Sequence, residues 1–590
     1  MLTMTINNQS IEAEEQMTII EAAKNNGILI PSFCYLEGVH QIGSCRVCVV
    51  EVEGANTLQA SCITKVKEGM VVHTNTEEVR KARKIVYELL MSDHNQNCLV
   101  CERNGSCEFQ RLGELVQISE DNPYEGEKSK PFMMDTSNPS IVRDMSKCIL
   151  CRRCVTVCSE IQGIGVIDSQ NRGFQSFVGP TTNFDLKDQN CTFCGQCTTV
   201  CPVGALKEKD STNDVWEALH NNDLRVVVQT APAVRAALGE AFGYEAGSLV
   251  TGKMAAALRR LGFDDIFDTN FAADLTILEE GTELLTRLTA MVEGDGEVRL
   301  PMITSCSPGW VNYIEHKFPD QLQHLSTCKS PHMMLGALVK SYYAQELERD
   351  PKTIKVVSVM PCTAKKYEIT REELNHDVDA VLTTRELAKM IKDAGIDFRA
   401  LEDEEFDAPM GLSSGAADIF ATSGGVMEAA LRTVWEIVSG REIPFDHLHV
   451  RSVMGLDGIK EGCVTFTDVL PEWHEFEGMT LRFAAASGLS NAEILLKQIR
   501  DGDSPYLFLE IMACPGGCIS GGGQPRLTTD LVREKRMAAI YREDEGKTLR
   551  KSHENKAVQD LYKKYLKEPL GHKSHELLHT HYKPQPMYKK

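Results

Sequence analysis

The grouping of the cysteines limits most strongly what this chain can fold into. Of the 21 cysteines in 590 residues, fifteen lie in tight groups within the first 201 residues and six are scattered beyond them. Disulfide frameworks are typical of short secreted chains, whereas grouped thiols in a reducing compartment bind metal. The chain is also long enough for several domains. We therefore expect a multidomain metalloprotein.

The net charge and the hydropathy pattern limit which partners and which cellular compartment we expect for this chain. The net charge of -21 disfavours nucleic acid and anionic membranes, because both reward basic surfaces. No apolar run approaches the roughly 18–20 residues that a membrane span needs. The first residues, "MLTMTINNQSIEAEEQ", are acidic and lack the basic and apolar regions of a signal peptide. These features predict a cytoplasmic protein with no nucleic-acid or membrane partner.

The first cysteine group has the spacing Cys-x10-Cys-x2-Cys-x13-Cys and consists of Cys34, Cys45, Cys48 and Cys62. It follows a strand-like run, "LTMTIN", and a helix-like run, "MTIIEAAKNNG". A close Cys-x2-Cys pair with outlying partners favours a plant-type [2Fe–2S] cluster. Four thiolates also suit tetrahedral zinc, which remains the alternative. The spacing resembles the [2Fe–2S] domain of complex I and related hydrogenases.

The second group combines one histidine with three cysteines: His94, Cys98, Cys101 and Cys107. A predicted helix, "TEEVRKARKIVYELLMS", precedes it, with Thr76 as its N-cap and two glutamates in its first turn. Taken alone, these ligands could form a zinc knuckle. The group lies between two other cysteine groups, however, and it resembles the [4Fe–4S] site with one histidine ligand found in complex I and in modular hydrogenases.

Two further groups, "CILCRRCVTVC" and "CTFCGQCTTVCP", carry the bacterial Cys-x2-Cys-x2-Cys-x3-Cys pattern. In such pairs the fourth cysteine of each run ligates the other cluster. The pattern therefore predicts two [4Fe–4S] clusters. One is ligated by Cys148, Cys151, Cys154 and Cys201, and the other by Cys191, Cys194, Cys197 and Cys158.

The C-terminal two-thirds has a different sequence pattern, in which apolar runs alternate with amphipathic segments. "LRVVVQT", "RLPMITS", "IKVVSVM", "DAVLTT" and "LFLEIMA" are typical of buried strands, and "VTGKMAAALRRLG" and "GGVMEAALRTVWEIVSG" of helices. This alternation predicts an α/β domain with parallel pairing. Cys306, Cys362 and Cys514 each follow a predicted strand, and ligand sites collect at that edge of an open sheet. Cys518 follows Cys514 by four residues, on the same face if that segment opens a helix.

Three long motifs identify the chain as resembling one family. "TSCSPGW" (304–310), "MPCTAKKYE" (360–368) and "EIMACPGGCISGGGQP" (510–525) resemble the signature motifs of the [FeFe]-hydrogenases. The order of the N-terminal cluster groups resembles their large modular members, so the similarity covers nearly the whole chain. The resemblance is to the catalytic subunit of the multimeric, NAD(P)-linked and often electron-bifurcating hydrogenases.

The resemblance implies a fold class and a division of the chain. The fold class is multidomain α+β and α/β, with N-terminal ferredoxin-type iron–sulfur domains followed by an α/β H-cluster domain. The implied domains are a [2Fe–2S] β-grasp domain (1–78), a [4Fe–4S] domain with one histidine and three cysteines (79–138), a two-[4Fe–4S] ferredoxin-like domain (139–215), the catalytic domain (220–545) and a C-terminal strap similar to a small subunit (546–590).

The resemblance also implies an H-cluster, in which a [4Fe–4S] cubane is joined through a cysteine to a diiron unit carrying CO, CN⁻ and an azadithiolate. By motif match Cys518 is the bridging thiolate, and Cys362 and Cys514 are further cubane ligands. Lys365 matches the lysine that donates to a cyanide. Met360 and Met512 match apolar wall positions, which packing alone explains equally well.

Protons must reach such a cluster through titratable or hydroxylic groups. In the family they pass from a motif cysteine through Glu, Ser and Glu to the surface, and matching segments give these roles to Glu280, Ser326 and Glu283. Without the resemblance, these residues would be expected to be solvated glutamates on a helix and a helix-capping serine.

The motif "TSCSPGW" departs from the family pattern, which has two adjacent cysteines at this point. The first of these relays protons and the second ligates the cubane. Counting along the motif gives Cys306 the relay position and Ser307 the ligand position. Thiolate binds iron–sulfur clusters far better than a neutral hydroxyl, so we favour Cys306 as the ligand and Ser307 as the relay group. Ligation by Ser307 as an alkoxide is the alternative.

The expected activity is reversible H2 oxidation, with electrons passing through the accessory clusters. No Rossmann fingerprint or flavin motif occurs in the sequence. NAD(P) is therefore expected to bind a flavin-carrying partner, in an assembly with [2Fe–2S] subunits, with ferredoxin as a further partner in a bifurcating enzyme. The partner is expected to dock near the histidine-ligated cluster or the [2Fe–2S] end. The alternatives are an H2-sensing member of the family and a purely electron-transferring subunit.

The remaining cysteines and histidines match no motif. We expect Cys328 and Cys463 to be packed thiols. The basic tail, 551–590, is expected to pack on the surface, with a metal site at "HTH" as the alternative. Its histidines are His553, His572, His575, His579 and His581.

Overall fold

The computed structural model describes residues 1–118, 122–126, 134–444, 458–526 and 528–587. The chain divides into two compact units. The first consists of Met1–Glu160, Gly165–Gln189 and Val200–Lys207, and the second of Ile161–Ile164, Asn190–Thr199 and Glu208–Lys590. Within the described ranges, every helix is too short or too polar to cross a bilayer.

The first unit begins with a sheet in the order β2-β1-β5-β3-β4. Its strands are β1 (Leu2–Ile6), β2 (Gln9–Ala13), β3 (Val49–Val52), β4 (Gln59–Ala60) and β5 (Val71–His73). Helix α1 (Ile19–Asn25) starts with a capping box, in which the Thr18 N–H donates to Oε2 of Glu21 at 2.7 Å. The apolar residues of α1 and of alternate strand positions form one core.

The rest of the first unit is built from short elements. Helix α2 (Glu77–Ser92) begins as predicted, since Oγ1 of its N-cap Thr76 accepts the Val79 N–H at 3.3 Å. A second sheet has the order β10-β7-β6, and β8 pairs with β9. These remaining elements are α3 (Glu108–Val116), α4 (Arg153–Thr156), β6 (Met134–Asp135), β7 (Ile141–Asp144), β8 (Asp168–Gln170), β9 (Phe177–Gly179) and β10 (Leu206–Glu208).

The second unit contains two sheets. The first has the order β12-β11-β14-β15 with every pair parallel, and the second has the order β13-β18-β17-β16, in which only β16 is antiparallel to its neighbour. The strands are β11 (Arg225–Thr230), β12 (Asp265–Asp268), β13 (Met302–Ile303), β14 (Ile354–Met360), β15 (Ala380–Thr383), β16 (Ile459–Thr465), β17 (Thr480–Ser487) and β18 (Phe508–Met512).

Helices surround both sheets of the second unit, and their apolar faces supply most of its core. They are α5 (Gln196–Thr199), α6 (Thr212–Leu219), α7 (Pro232–Arg235), α8 (Thr251–Leu261), α9 (Thr269–Val292), α10 (Pro308–Lys317), α11 (Pro331–Leu338), α12 (Ala344–Glu346), α13 (Ala364–Glu368), α14 (Thr384–Asp393), α15 (Gly415–Asp418), α16 (Gly425–Ser439), α17 (Leu489–Asp501), α18 (Asp530–Gly546), α19 (Lys556–Leu561) and α20 (His572–Leu578).

The five strands and two helices predicted in the C-terminal two-thirds are confirmed, although β13 is only two residues long. One expectation was wrong: Cys463 is exposed rather than packed, because it lies on the edge strand β16, where alternate side chains face solvent. The condition on which Cys518 would share a helical face with Cys514 is not met, since Cys518 begins a short 3-10 helix, Cys518–Ser520. Cys328 is fully buried, as expected.

Candidate active site and cluster sites

A cavity lies at the C-terminal ends of strands from both sheets of the second unit. Cys362 follows β14, Cys514 follows β18, and Cys306 lies three residues beyond β13. Because carboxyl ends of parallel strands open onto one edge, thiols from distant parts of the sequence converge there. The other polar or sulfur-bearing residues of the lining are Thr269, Ser307, His332, Met360, Lys365, Met512 and Cys518.

Burial dominates the chemistry of these thiols. It raises the pKa of Cys362 to about 11 and that of Cys518 to about 12, and it raises the pKa of Cys514 further above its ordinary value. The neighbouring thiols add to the effect at Cys514. Bound iron would reverse this balance, since a metal cation deprotonates a coordinating thiol. The donor set therefore fits an iron–sulfur cofactor.

The backbone around Cys514 and Cys518 comes unusually close to other chain segments. Gly517 has φ +96, and a Cβ on it would lie 2.6 Å from the backbone nitrogen of Ser423. A Cβ on Gly521 would lie 2.3 Å from the carbonyl oxygen of Pro361. This part of the glycine-rich motif thus forms the cavity wall and leaves no room for side chains.

Lys365 is held at the cavity by a row of buried polar groups. Its Nζ donates to Oε2 of Glu368 at 2.9 Å and to the Cys306 carbonyl at 3.2 Å. The same Glu368 oxygen contacts Nδ1 of His332 at 2.7 Å, and Nε2 of His332 contacts Oγ of Ser358 at 2.7 Å. Sequence reasoning missed this supporting row, although the i, i+3 spacing of Lys365 and Glu368 on a short helix was a usable signal.

Helix α9 carries the two glutamates of the predicted proton relay. Ser326 Oγ donates to Oε2 of Glu283 at 3.0 Å, and the Ser326 hydroxyl also acts to lower the pKa of Glu280 against burial. Burial, aided by the charges of Glu283 and Glu510, raises the pKa of Glu280 to about 8. Arg287 pairs with Oε1 of Glu283 at 2.6 Å. The structure thus brings Glu280, Ser326 and Glu283 together in one buried row.

Cys306 and Ser307 have different surroundings. Burial raises the pKa of Cys306, and after burial the largest contribution comes from the charge of Glu280. Ser307 Oγ accepts the backbone N–H of Ala513, the residue next to Cys514, at 3.4 Å. The thiol is therefore associated with the first glutamate of the relay, and the hydroxyl with the strand end that carries a cavity cysteine.

The loop around Cys191, Cys194 and Cys197 packs against the segments that bear the cavity cysteines. Thr363 Oγ1, beside Cys362, donates to the Phe193 carbonyl at 2.7 Å. Gln196 Nε2 donates to the Ser520 carbonyl at 2.9 Å. The charge of Cys194 also contributes to the raised pKa values of Cys362 and Cys514. A cluster held by this loop would be an immediate neighbour of the cavity.

The first unit brings together the predicted [2Fe–2S] ligands. Cys34, Cys45, Cys48 and Cys62 are all buried. The sulfurs of Cys48 and Cys62 are 3.4 Å apart, and Cys34 has thiol contacts with Cys45 and Cys62. Two backbone N–H groups point at this site: Phe33 donates to Cys45 at 3.4 Å and Cys45 to Cys34 at 3.5 Å. N–H donors are suited to bound thiolates.

Four other cysteines of the first unit line a second cavity: Cys148, Cys151, Cys154 and Cys201. The Leu150 N–H donates to Cys148 Sγ at 3.4 Å. In the second group Cys98, Cys101 and Cys107 are half-buried, and the ring of His94 lies 4.8 Å from that of Phe109. Cys158 is buried in this unit, on the turn Val157–Ile161.

Models of known families match the chain along most of its length. The model for the iron only hydrogenase large subunit, C-terminal domain, matches residues 224–522 and that for the iron hydrogenase small subunit matches 530–585. Toward the N-terminus there are matches to a 2Fe-2S iron-sulfur cluster binding domain (1–77), the NADH-ubiquinone oxidoreductase-G iron-sulfur binding region (83–121) and a 4Fe-4S dicluster domain (147–205).

Individual relatives agree with these models. The chain is 51% identical to the NADP-reducing hydrogenase subunit HndD of Solidesulfovibrio fructosivorans, over 99% of each chain. It is 40% identical to iron hydrogenase 1 of Clostridium pasteurianum, over 99% of this chain and all of that one. A solved apo [FeFe]-hydrogenase from Chlamydomonas reinhardtii matches with a TM-score of 0.58 and 44% identity, covering 64% of this chain and all of that one.

The chain belongs to the [FeFe]-hydrogenase family. It is an iron hydrogenase, and thus an oxidoreductase, with an H-cluster domain preceded by a [2Fe–2S] domain and [4Fe–4S] domains.

Proposed function

We propose that the chain is the catalytic subunit of a multimeric hydrogenase that interconverts H2 with two protons and two electrons. The observation that carries the proposal is the cavity lined by Cys362, Cys514, Cys518 and Lys365. When bound there, the H-cluster supplies the iron at which H2 is formed or split. The residues around it hold the cofactor, move protons and exclude water.

In this proposal Cys362, Cys514 and Cys518 would hold the cofactor through their thiolates, and Cys518 would have the role of the bridging thiolate. Lys365 has three N–H donors, and Glu368 and the Cys306 carbonyl fix its direction, so that a donor can serve a cyanide. Met360 and Met512 supply apolar wall to the cavity. The different surroundings of Cys306 and Ser307 favour Cys306 at the relay position and Ser307 beside the cubane, the reverse of the assignment that thiolate chemistry alone favours.

Protons move, in this proposal, between the cavity and the surface through Cys306, Glu280, Ser326 and Glu283. With its pKa raised to about 8, Glu280 holds a proton at neutral pH and can give it up at little cost. Ser326 can accept a proton on its oxygen while donating its own, and it is hydrogen-bonded to Glu283.

Electrons pass, in this proposal, through one [2Fe–2S] cluster and three accessory [4Fe–4S] clusters, one of which has a histidine ligand. Packing of the 191–197 loop against Thr363 and Ser520 supports the last transfer into the cavity. The ligands in the first unit are Cys34, Cys45, Cys48 and Cys62 for the [2Fe–2S] cluster, His94, Cys98, Cys101 and Cys107 for the second, and Cys148, Cys151, Cys154 and Cys201 for the third.

We further propose that NAD(P) is reduced on a flavin-bearing partner in the cytoplasm, in an assembly with [2Fe–2S] subunits. Identity of 51% to a subunit whose name describes NADP reduction supports this link. The sequence has no nucleotide fingerprint of its own. Ferredoxin, in a bifurcating reaction, is the further partner of this proposal.

Infrared spectroscopy of anaerobically matured protein tests the cavity assignment. We expect CO and CN bands in the wild-type chain, their loss in Cys518→Ala, and their retention in the exposed-cysteine control Cys463→Ser. Absence of the bands from wild-type protein, after maturation that loads another [FeFe]-hydrogenase, would contradict the proposal. Slow turnover with intact bands would instead favour the H2-sensing alternative.

A further inference from the structure

A row of hydrogen bonds leaves the outer end of the proposed proton relay and enters the C-terminal segment. Thr327 Oγ1 donates to Oε2 of Glu283 at 3.2 Å. The same hydroxyl lies 2.8 Å from Nδ1 of His579, which is 252 residues further along the chain. His579 follows directly after α20 and is 7% exposed, so it lies at the boundary between the relay and solvent.

The other ring nitrogen of His579 is committed to a buried carboxylate. Nε2 lies 3.1 Å from Oε2 of Glu279, whose carboxylate also accepts the Tyr562 hydroxyl at 2.6 Å and the Leu570 N–H at 2.8 Å. Burial opposes ionisation of Glu279, but the hydrogen bonds, led by that from His579, outweigh it and lower the pKa. An ionised carboxylate only accepts, so Nε2 carries the proton of this contact and Nδ1 is the exchangeable position.

Apart from Ser326, the inner neighbour of Glu283 in the proposed relay, the other contacts of Glu283 do not offer a proton. Arg287 pairs with Oε1 at 2.6 Å, and a guanidinium keeps its proton at all physiological pH values. The Thr327 backbone N–H donates at 3.1 Å and likewise does not exchange with the carboxylate. By contrast, the His579 ring lies 4.5 Å from that of His575, which is exposed on α20.

We propose that His579 and Thr327 form a proton inlet that supplies Glu283 from solvent beside His575. The Nδ1 proton of His579 moves to Oγ1 of Thr327 while the hydroxyl proton of Thr327 moves to Oε2 of Glu283. The imidazole left neutral keeps its Nε2 proton on Glu279 and regains the Nδ1 proton from solvent at His575. The inference rests on the relay role of Glu283 proposed above.

The titratable groups around His579 are compatible with proton transfer from His579 to Thr327. Burial raises the pKa of Cys328 well above its ordinary value, so the thiol 4.0 Å from Nδ1 is neutral and does not hold the proton back. Burial also raises the pKa of Tyr562, whose hydroxyl stays protonated on Glu279. The titratable and charged groups on all sides are Glu279, Glu283, Arg287, Cys328, Tyr562, His575 and His581.

Hydrogen evolution by the matured full-length chain, driven by an artificial reductant across a pH series, tests the inlet. We expect His579→Gln and Thr327→Val to slow turnover by at least about threefold and to flatten its pH profile, because Glu283 then reloads slowly. Added imidazole should restore His579→Gln but not Thr327→Val. Thr327→Ser keeps the hydroxyl and should match the wild type, as should His572→Gln, which changes an exposed histidine at the start of α20.

A second readout follows proton uptake directly, with a pH-indicating dye, when the oxidised protein is reduced. Uptake should be slower in His579→Gln and Thr327→Val, while the CO and CN infrared bands are unchanged in both. Wild-type rates, pH profile and uptake in these two variants would overturn the inlet. If Glu283→Gln also behaves as wild type, the relay itself is wrong, whereas a slow Glu283→Gln with normal His579→Gln rejects only the inlet. Should His579→Gln fail to fold, the Thr327→Val and Thr327→Ser pair decides the matter.

Discussion

Two buried carboxyl groups near the active-site cavity are held in opposite protonation states by their neighbours. Burial raises the pKa of both, but at Glu368 the charge of Lys365 and the bond to His332 outweigh burial and lower the pKa to about 2. At Glu280 the charge of Arg287 only partly offsets burial, and the pKa rises to about 8. At pH 7 Glu368 is therefore an anion that positions Lys365, and Glu280 is an acid that can donate a proton.

Replacing Glu280 by Gln removes the proton while keeping the shape and the neutral charge. We expect hydrogen evolution to fall by at least about 100-fold, since an amide cannot relay protons. In the wild type, the carboxyl loses its proton as the pH rises through about 8, so the population able to donate declines above that value. Rates measured from pH 6 to 9, with infrared bands as the control for cofactor insertion, check both expectations. Near-normal turnover of Glu280→Gln would exclude this residue from the relay.

Ser307 offers a second test on a single side chain. If its hydroxyl lies beside the cubane, Ser307→Cys should provide a fourth thiolate and slow the loss of iron to a chelator, because thiolate binds such clusters more strongly. We expect the iron content after chelation to exceed that of the wild type, while Ser305→Cys, two residues away, should not increase it. If Ser307→Cys retains no more iron after chelation than the wild type, Cys306 is favoured as the ligand.

The elements explain why the cavity lies where it does. Strands β14 and β18 belong to different sheets, yet both end at the cavity, and each is followed at once by a turn that carries a cysteine. The turn after β18 needs glycine, since Gly517 adopts a backbone conformation that other residues rarely adopt and it also touches Ser423. The glycines of this motif are therefore a packing requirement as well as a feature of the cofactor site.

Gly517→Ala tests the crowding at this turn. We expect a cost of about 3 kcal/mol or more from strain and overpacking together. Gly294 is the control, because it has φ +84 and open space where a Cβ would lie. Its change to Ala should cost about 1 kcal/mol from backbone strain alone. Urea unfolding, followed by circular dichroism, measures the shift of the unfolding midpoint in each variant. Equal shifts in Gly517→Ala and Gly294→Ala would show that the contact with Ser423 adds nothing to the loss of stability.

The sequence was informative where chemistry depends on local spacing. The cysteine runs, the cap at Thr76 and the strands β11 and β14 all follow from short patterns. Contacts between distant segments did not follow from spacing. The bond between Thr327 and His579 joins residues 252 apart, and His579 alone was indistinguishable from its neighbours in a histidine-rich tail. Cys463 was misjudged because edge and central strands cannot be told apart by pattern.

At the scale of the whole molecule, the proposed function has electrons pass between the cavity and the cluster sites of the first unit, and these sites differ in exposure. The [2Fe–2S] cysteines are buried, whereas Cys98, Cys101 and Cys107 are half-buried. Leu99 and Val100 lie between two of these cysteines and are 89% and 75% exposed. These two adjacent apolar side chains form a small exposed patch beside the cysteines, so this loop is a suitable contact for the redox partner of the proposed function.

A double change, Leu99→Glu and Val100→Glu, tests this contact. We expect H2-driven reduction of NAD(P)+ in the assembly with the flavin-bearing partner to fall at least about tenfold, because two charges would replace an apolar contact. Oxidation of H2 with a small viologen acceptor should be unchanged, since the cavity and relay lie in the second unit. Leu531→Glu, at an exposed position on α18, is the matched control and should affect neither activity. Equal coupling in the double variant and in this control would mean that electrons leave the chain elsewhere, and the buried [2Fe–2S] end would then be the site to test.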